Sequence, residues 1–290
     1  MKSRGGAVHN SGPYGGNMER SGAFEFGARG AAIVLGSWLS VLGIAGVPNV
    51  LGFWQSAKRR QSAVVDFHRP ARTYESTTLV DARFGEFAVS VEKQLKADAP
   101  AVAKRALARL KAKRAEALAA VPEAARERLA KVRFFLLYGP KARNGGRNNG
   151  LAYFQKNAPE HHAELDPRWG DAIVIYCAQN YVDISDLWAL KALFHELAHA
   201  YQLEQWPEKQ PDILKAWQHA KDEKLYLNVR DVETRKTLDS AYALTNQLEF
   251  FAELSCMYFV RCNYEPSDRR QLKAYDPVGH AMIERMWKVK

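Results

Sequence analysis

The residues best suited to chemistry are His195, Glu196 and His199, which form the run His-Glu-Leu-Ala-His. Residues four apart on a helix lie about one turn apart on the same face, so both imidazoles can bind one metal ion. Glu196 points about 100° away from His195, as 3.6 residues per turn requires. Its carboxylate is therefore poorly placed to join the same ligands, but it can act as a general base on a metal-bound water.

The segment around these residues predicts a buried helix over roughly 187–205, with Asp183 or Ser185 as N-cap and Pro207 as the stop. Its other side chains near the histidines are apolar: Phe194, Leu197, Ala198 and Ala200. Two histidines and a glutamate buried there without partners would be costly. A metal ion satisfies them, and a pair of hydrogen-bonded core histidines is the alternative.

A third metal ligand is needed, because a zinc site with one position open to water takes three protein ligands. A nearby third histidine in the His-x-x-Gly-x-x-His pattern is absent, since Gln202, Glu204 and Gln205 follow and the next histidine is His219. The remaining option is a carboxylate from another helix.

The segment 246–253 offers that carboxylate, since Glu249 and Glu253 are four residues apart in an otherwise apolar helix. Acidic groups in such surroundings need a cation or a metal. We expect Glu249 to be the third ligand and Glu253 to accept the other ring N–H of a ligand histidine, with Asn246 as a further supporting residue. One exposed glutamate and one capping glutamate would be the ordinary alternative.

Tyr242 lies seven residues before Glu249, about two helical turns upstream. A phenol near the metal can donate a hydrogen bond to the oxyanion of a tetrahedral intermediate. On spacing alone, a role in packing is equally consistent with this tyrosine.

The stretches His195–Gln202 and Tyr242–Glu253 together resemble the gluzincin metallopeptidases, most closely the secreted bacterial zinc peptidases of the anthrax lethal factor type. The resemblance implies the ligands His195, His199 and Glu249, with Glu196 as base and Tyr242 as oxyanion donor. It also implies that the strand Ala172–Ala178 is a sheet edge that pairs with an extended substrate. The resemblance does not reach residues 1–90, and it does not carry over the cleavage of protein kinase kinases.

The expected fold is an α+β, zincin-like metallopeptidase domain, with a small mixed sheet, an active-site helix and a helical C-terminal part. Strands are predicted at 84–91, 132–139 and 171–178. Besides 187–205, helices are predicted at 94–121, after Pro122, and at 212–224, 232–243 and 247–260.

The composition is that of a globular protein, with 290 residues, 47% hydrophobic and 26% charged, which excludes wholesale disorder and collagen-like repeats. We expect one zinc metallopeptidase domain at 65–290, in which 65–131 forms a strand plus basic helices and 132–290 the catalytic core. The net charge of +10 is concentrated in 91–150, where 15 Lys/Arg face 5 Asp/Glu. A solvated basic helix face is favoured, and nucleic-acid or anionic-membrane binding is the alternative.

The first sixty residues predict a disordered leader at 1–29, followed by an apolar segment at 30–54. That segment has three interpretations: a secretory signal with Met18 as a second start, a membrane anchor, or a buried helix. Export is favoured, which predicts an extracytoplasmic protein, secreted or attached to a membrane through 30–54.

The sequence therefore predicts a zinc-dependent hydrolase of peptide bonds that uses Zn²⁺ and acts on a peptide or protein. A catalytically inactive zinc-binding or surface-tethered interaction domain is the alternative, and the same site could also cut other amides. Cys256 and Cys262 are close enough in sequence to pair if the chain turns between them.

Overall fold

The computed structural model describes residues 71–289, which include a five-stranded sheet in the order β1-β2-β3-β5-β4. Its strands are β1 (Tyr74–Asp81), β2 (Gly85–Glu92), β3 (Arg133–Leu136), β4 (Leu151–Phe154) and β5 (Ala172–Ile175). Strands β2, β3 and β5 are parallel, whereas β1 pairs antiparallel with β2 and β4 pairs antiparallel with β5. A separate hairpin joins β6 (Leu227–Arg230) to β7 (Thr237–Ser240).

Helices connect and cover the sheet. In chain order they are α1 (Lys93–Asp98), α2 (Pro100–Ala120), α3 (Glu123–Leu129), α4 (Ala158–His161), α5 (Ala178–Asp183), α6 (Asp186–Gln205), α7 (Pro211–Asp222), α8 (Gln247–Phe259), α9 (Arg269–Tyr275) and α10 (Pro277–Met286). The predicted α+β class is confirmed, with the helices concentrated in the C-terminal half.

Both faces of the sheet are buried at β3, β4 and β5, whereas β1 is mostly exposed. Alternate residues of the strands, such as Phe134, Ile173 and Tyr153, face a large core shared with the long helices. The intervening residues, such as Phe135 and Val174, face a smaller core closed by the segment that contains Trp169. This period of two is what a sheet covered on both sides requires.

Helix α6 confirms the prediction for 187–205, and it forms one wall of the large core. It begins after Ser185, whose hydroxyl accepts a hydrogen bond from the Trp188 backbone N–H at 3.2 Å. It packs against α2, α8 and β4. The helix thereby carries His195, Glu196 and His199 into the interior beside β4 and α8.

Three predicted elements differ from the structure. The single helix at 94–121 is divided into α1 and α2 at Ala99, because the residue before Pro100 is disfavoured in helical conformation. The helix at 232–243 is wrong. Asp231 instead accepts hydrogen bonds from the backbone N–H groups of Glu233 and Thr234, which produces a turn between β6 and β7.

The implied sheet edge at Ala172–Ala178 is also wrong. Strand β5 lies between β3 and β4, and β4 is the edge strand on that side among the described residues. Strand β4 was not predicted, because four residues after a Gly- and Asn-rich loop carry too short a pattern. Strand β1, the β6–β7 hairpin, α9 and α10 were not predicted either.

The basic segment was predicted to be a solvated helix face, and it differs from that prediction in part. The Arg114 guanidinium lies 4.1 Å from the Phe87 ring centroid and donates to Ala130 O, and Arg126 donates to Leu118 O and Val121 O. Arg109 donates to two carbonyls at the end of α5 and to Asp186. Several of these cations therefore hold helices together.

The predictions for 1–29 and 30–54 lie outside the described residues. Within 71–289, no helix is both long and apolar enough to cross a bilayer. The three cysteines, Cys177, Cys256 and Cys262, are free and buried, so the pairing of Cys256 with Cys262 is not formed.

Candidate metal centre

The structure brings His195, His199 and Glu249 to one point. The Nε2 atom of His195 lies 2.9 Å from Glu249 Oε2 and 3.0 Å from His199 Nε2, and the third side of the triangle is 3.4 Å. A tetrahedral zinc ion with bonds of about 2.0–2.2 Å separates its ligand atoms by roughly 3.3–3.5 Å. All three residues are buried, and the described part of the chain contains this one group with metal-ligand geometry.

Hydrogen bonds between neutral imidazoles and the carboxylate do not satisfy this triangle. The other ring nitrogen of His195, Nδ1, lies 2.8 Å from Glu253 Oε1, and it donates its proton there. The lone pair of Nε2 then faces the Glu249 carboxylate and the His199 ring. Facing lone pairs need a cation between them, either a proton or a metal ion.

The electrostatics agree with a cation-binding centre. Burial opposes a charge on His195, but hydrogen bonds with Cys256, Glu249 and Glu253 outweigh it and raise the pKa of the ring well above its ordinary value. Burial opposes the ionised form of Glu249 as well. Its histidine partners nevertheless hold the pKa of the Glu249 carboxyl far below the usual range. The centre therefore combines the ionised Glu249 carboxylate with the His195 imidazole, which favours its charged form.

Asn246 positions Glu249 through the backbone. It is the N-cap of α8, and its side-chain oxygen accepts hydrogen bonds from the N–H groups of Leu248 and Glu249 at 2.9 and 3.0 Å. Glu249 thus lies in the first turn of α8, where the helix dipole favours a carboxylate. The residue predicted as a supporting group acts on the helix rather than on a ligand side chain.

Glu253 is the acceptor for His195, one turn further along α8. Its Oε1 also accepts a hydrogen bond from Lys191 Nζ at 2.5 Å, and its Oε2 lies 3.4 Å from the Cys262 thiol. Burial would raise its pKa, but the Lys191 charge prevails and lowers the pKa of Glu253 to about 2. Glu253 is therefore an ionised, fully enclosed carboxylate.

Glu196 lies beside the triangle rather than within it. Its Oε2 accepts a hydrogen bond of 2.8 Å from the backbone N–H of Tyr153 in β4. Burial raises the pKa of the Glu196 carboxyl, partly opposed by the charges of His195 and His199. A carboxylate with a raised pKa suits a group that takes and returns a proton near neutral pH.

Tyr242 reaches the same centre from a 3₁₀ turn, Tyr242–Leu244, that precedes α8. Its ring centroid lies 5.9 Å from that of His195, and its hydroxyl is hydrogen-bonded to Glu249. Burial and the surrounding carboxylates raise the pKa of the phenol far above its ordinary value. The hydroxyl therefore keeps its proton and remains a donor.

Three contributions were not identified from the sequence: Lys191, the Tyr153 N–H and the thiol of Cys256, which is hydrogen-bonded to His195. Lys191 carried a usable signal, because it is a lysine in an apolar helix four residues before His195. The backbone of Tyr153 carried none, since an N–H group is common to nearly all residues.

Comparisons of the chain with protein-family models, with curated proteins and with solved structures found no match. Any assignment of function consequently rests on the arrangement of these side chains.

Proposed function

We propose that this protein is a zinc-dependent peptidase with a zincin-like fold. The observation that carries the proposal is the triangle of His195, His199 and Glu249, with separations of 2.9–3.4 Å, next to a buried glutamate that is not part of it. Two imidazoles and one carboxylate are the donor set of zinc hydrolases that keep a position open for water. Its spacing in the sequence resembles that of the gluzincins.

A zinc ion held by His195, His199 and Glu249 would supply a Lewis acid for the scissile carbonyl and would lower the pKa of a water molecule. The Tyr153 N–H holds the Glu196 carboxylate in position. That carboxylate would accept a proton from the attacking water and return it to the leaving amine. Tyr242 donates its phenolic proton in a hydrogen bond to the developing oxyanion, a role for which its raised pKa suits it.

The proposed substrate is an extended peptide, because the edge strand β4 has main-chain groups that face away from β5. Gly150 O accepts a hydrogen bond from Tyr176 N, so Gly150, Ala152 and Phe154 face β5 in the antiparallel register. The N–H and C=O groups of Leu151 and Tyr153 then point away from β5, on the side where Glu196 binds the Tyr153 N–H. A peptide that adds to this edge lies beside the base.

The experiment is a zinc analysis combined with digestion of a broad peptide library by the purified protein. We expect about one zinc per chain and cleavage that stops with a chelator and returns with zinc. Glu196→Gln should bind the same amount of zinc and cleave roughly 10²- to 10⁴-fold more slowly.

Each rival has its own outcome. Stoichiometric zinc without cleavage of peptides or other amides would favour a zinc-stabilised interaction domain, and a chain that binds no metal would end the proposal. Binding of nucleic acid that weakens steeply with salt and ignores chelators would favour the basic segment as the functional part.

A further inference from the structure

Lys191 is a buried cation that the proposed reaction does not use. It lies on α6 one turn before His195, and its side chain is 1% exposed. Moving an ammonium group out of water costs several kcal/mol unless a partner compensates. The partner is Glu253, which is entirely buried and lies on α8 one turn after Glu249.

The ion pair shares one oxygen atom with the candidate metal centre. Glu253 Oε1 accepts from Lys191 Nζ at 2.5 Å and lies 2.8 Å from His195 Nδ1. The second oxygen, Oε2, contacts the Cys262 thiol, and the Tyr264 hydroxyl is also hydrogen-bonded to this carboxylate. With contacts on both oxygens, the carboxylate has one orientation, and that orientation fixes the His195 ring.

The ammonium group is itself held in place. Lys191 Nζ lies 5.2 Å from the centroid of the Trp188 ring on the same helix, a distance typical of a cation–π contact. The chain from Trp188 through Lys191 and Glu253 to His195 is therefore continuous, and it joins two helices behind the three ligand atoms.

We propose that Lys191 is a positioning residue for the metal. Through Glu253 it holds the His195 ring with Nε2 directed at Glu249 and His199 before the ion arrives. This inference depends on the zinc site of the proposed function. Groups that support metal ligands in this way typically change metal affinity about 10- to 100-fold when they are removed.

The test measures zinc affinity by competition with a chromophoric chelator. Lys191→Met replaces the cation with a neutral side chain of similar length, and we expect zinc affinity to fall about tenfold. The absorption spectrum of the cobalt-substituted variant should also change, because it reports ligand geometry. The matched control is Lys113→Met, which removes a mostly buried lysine paired with Glu116 and Asp186 and should leave both readouts unchanged.

A second variant separates positioning from stability, because Lys191→Met alone leaves the Glu253 charge without its cation. Lys191→Met with Glu253→Gln replaces the buried ion pair with a neutral pair, a change that is often neutral or stabilising. We expect this double variant to recover thermal stability while its zinc affinity stays low. In the Glu253→Gln background, Lys191→Met should lower zinc affinity no further, since both residues act on His195 through one contact.

Two results would overturn the inference: a folded Lys191→Met variant with unchanged zinc affinity, or a double variant that regains affinity together with stability. Failure of the proposed function looks different. In that case the unmodified protein binds no zinc, or binds zinc and cleaves nothing, and the latter leaves the affinity comparison fully interpretable.

Discussion

Two regions of the molecule bury polar side chains in different ways. In the basic helices α2 and α3, Arg109, Arg114 and Arg126 each donate to backbone carbonyls, and Arg114 also lies over the Phe87 ring. In the pair α6 and α8, two ring nitrogens and one carboxylate oxygen converge on a single point.

The convergence of buried side chains on one point is therefore a better basis for proposing a functional site than the net charge of a segment. The basic helices carry much of the net charge, yet several of their cations are used in the packing of the fold. The centre between α6 and α8 brings lone pairs together, which only a cation can satisfy. Five predictions test this distinction, from the largest expected effect to the smallest.

Removing a ligand should abolish the function of the centre. His199→Ala is expected to lower zinc affinity on the order of a thousandfold, about one ligand's share of a zinc binding free energy of 10–16 kcal/mol. Peptide cleavage should fall to background with it. Metal analysis after dialysis is the measurement, and retention of stoichiometric zinc would remove His199 from the ligand set.

Removing the base should separate binding from turnover. Glu196→Gln keeps the shape of the side chain and cannot accept the proton, so cleavage should fall roughly 10²- to 10⁴-fold. Zinc content should stay at the level of the unmodified protein, because Glu196 lies outside the triangle. Cleavage rates and zinc content measured on one preparation decide the matter, and substantial residual turnover would contradict the assignment.

Tyr242→Phe removes one hydroxyl and leaves the ring that packs near His195. If the phenol donates to the oxyanion, kcat should fall about a hundredfold while zinc content and KM change little. Steady-state kinetics on a cleaved library peptide provide the measurement. A rise in KM with unchanged kcat would instead indicate a role in substrate binding.

A substitution in the basic region should change the stability of the protein and nothing else. Arg114→Ala removes the contact with Phe87 and the hydrogen bond to Ala130 O, and it should lower the free energy of unfolding by about 1–3 kcal/mol. Denaturant unfolding measures this change. Zinc affinity should be unaltered, and a loss of zinc from the folded variant would show that the two regions are coupled.

As the pH falls, the metal centre should lose zinc first, and the basic region should lose stability at lower pH. Protons compete with zinc for histidine ligands, so zinc is expected to leave below about pH 6. Burial opposes ionisation of Asp81, but the N–H groups of Arg83 and Phe84 and the charges of Arg114 and Lys111 lower the pKa of its carboxyl. Because the folded pKa lies below the unfolded one, its contribution is complete above the unfolded pKa and disappears as pH falls through the folded one.

Zinc release and circular dichroism, followed together during acidification, test this order. Asp81→Asn should flatten the last, most acidic part of the unfolding profile and leave the pH of zinc release unchanged. Unfolding that coincides with zinc release would contradict the separation.

The sequence predicted the parts of the site that depend on helical spacing. His195 and His199 lie four residues apart on one helix, and their convergence with Glu249 needed one further helix of obvious apolar character. The α+β class followed from strongly apolar strands, such as β3 and β5. These features depend on patterns that persist over several residues.

The rest depends on contacts between distant segments. Whether β4 or β5 is the edge is decided by strand pairing, which four apolar residues do not specify. The turn after Asp231 lies in a segment that was predicted as a helix from residue 232. It is a turn because the Asp231 side chain accepts hydrogen bonds from two backbone N–H groups, which overrides local propensity. Similarly, no periodicity distinguishes an arginine that packs on Phe87 from one in water.

The hydrogen bond between Tyr153 and Glu196 has a mechanical consequence. If a peptide pairs with β4, as proposed, one strand holds both the peptide and the Glu196 carboxylate, and the two then move together. A shift of β4 along its length would move the Tyr153 N–H and the Glu196 carboxylate that it binds. A misaligned peptide would therefore displace the proposed base. The positions of the bound peptide and of the proposed base would then both depend on the Tyr153 amide N–H.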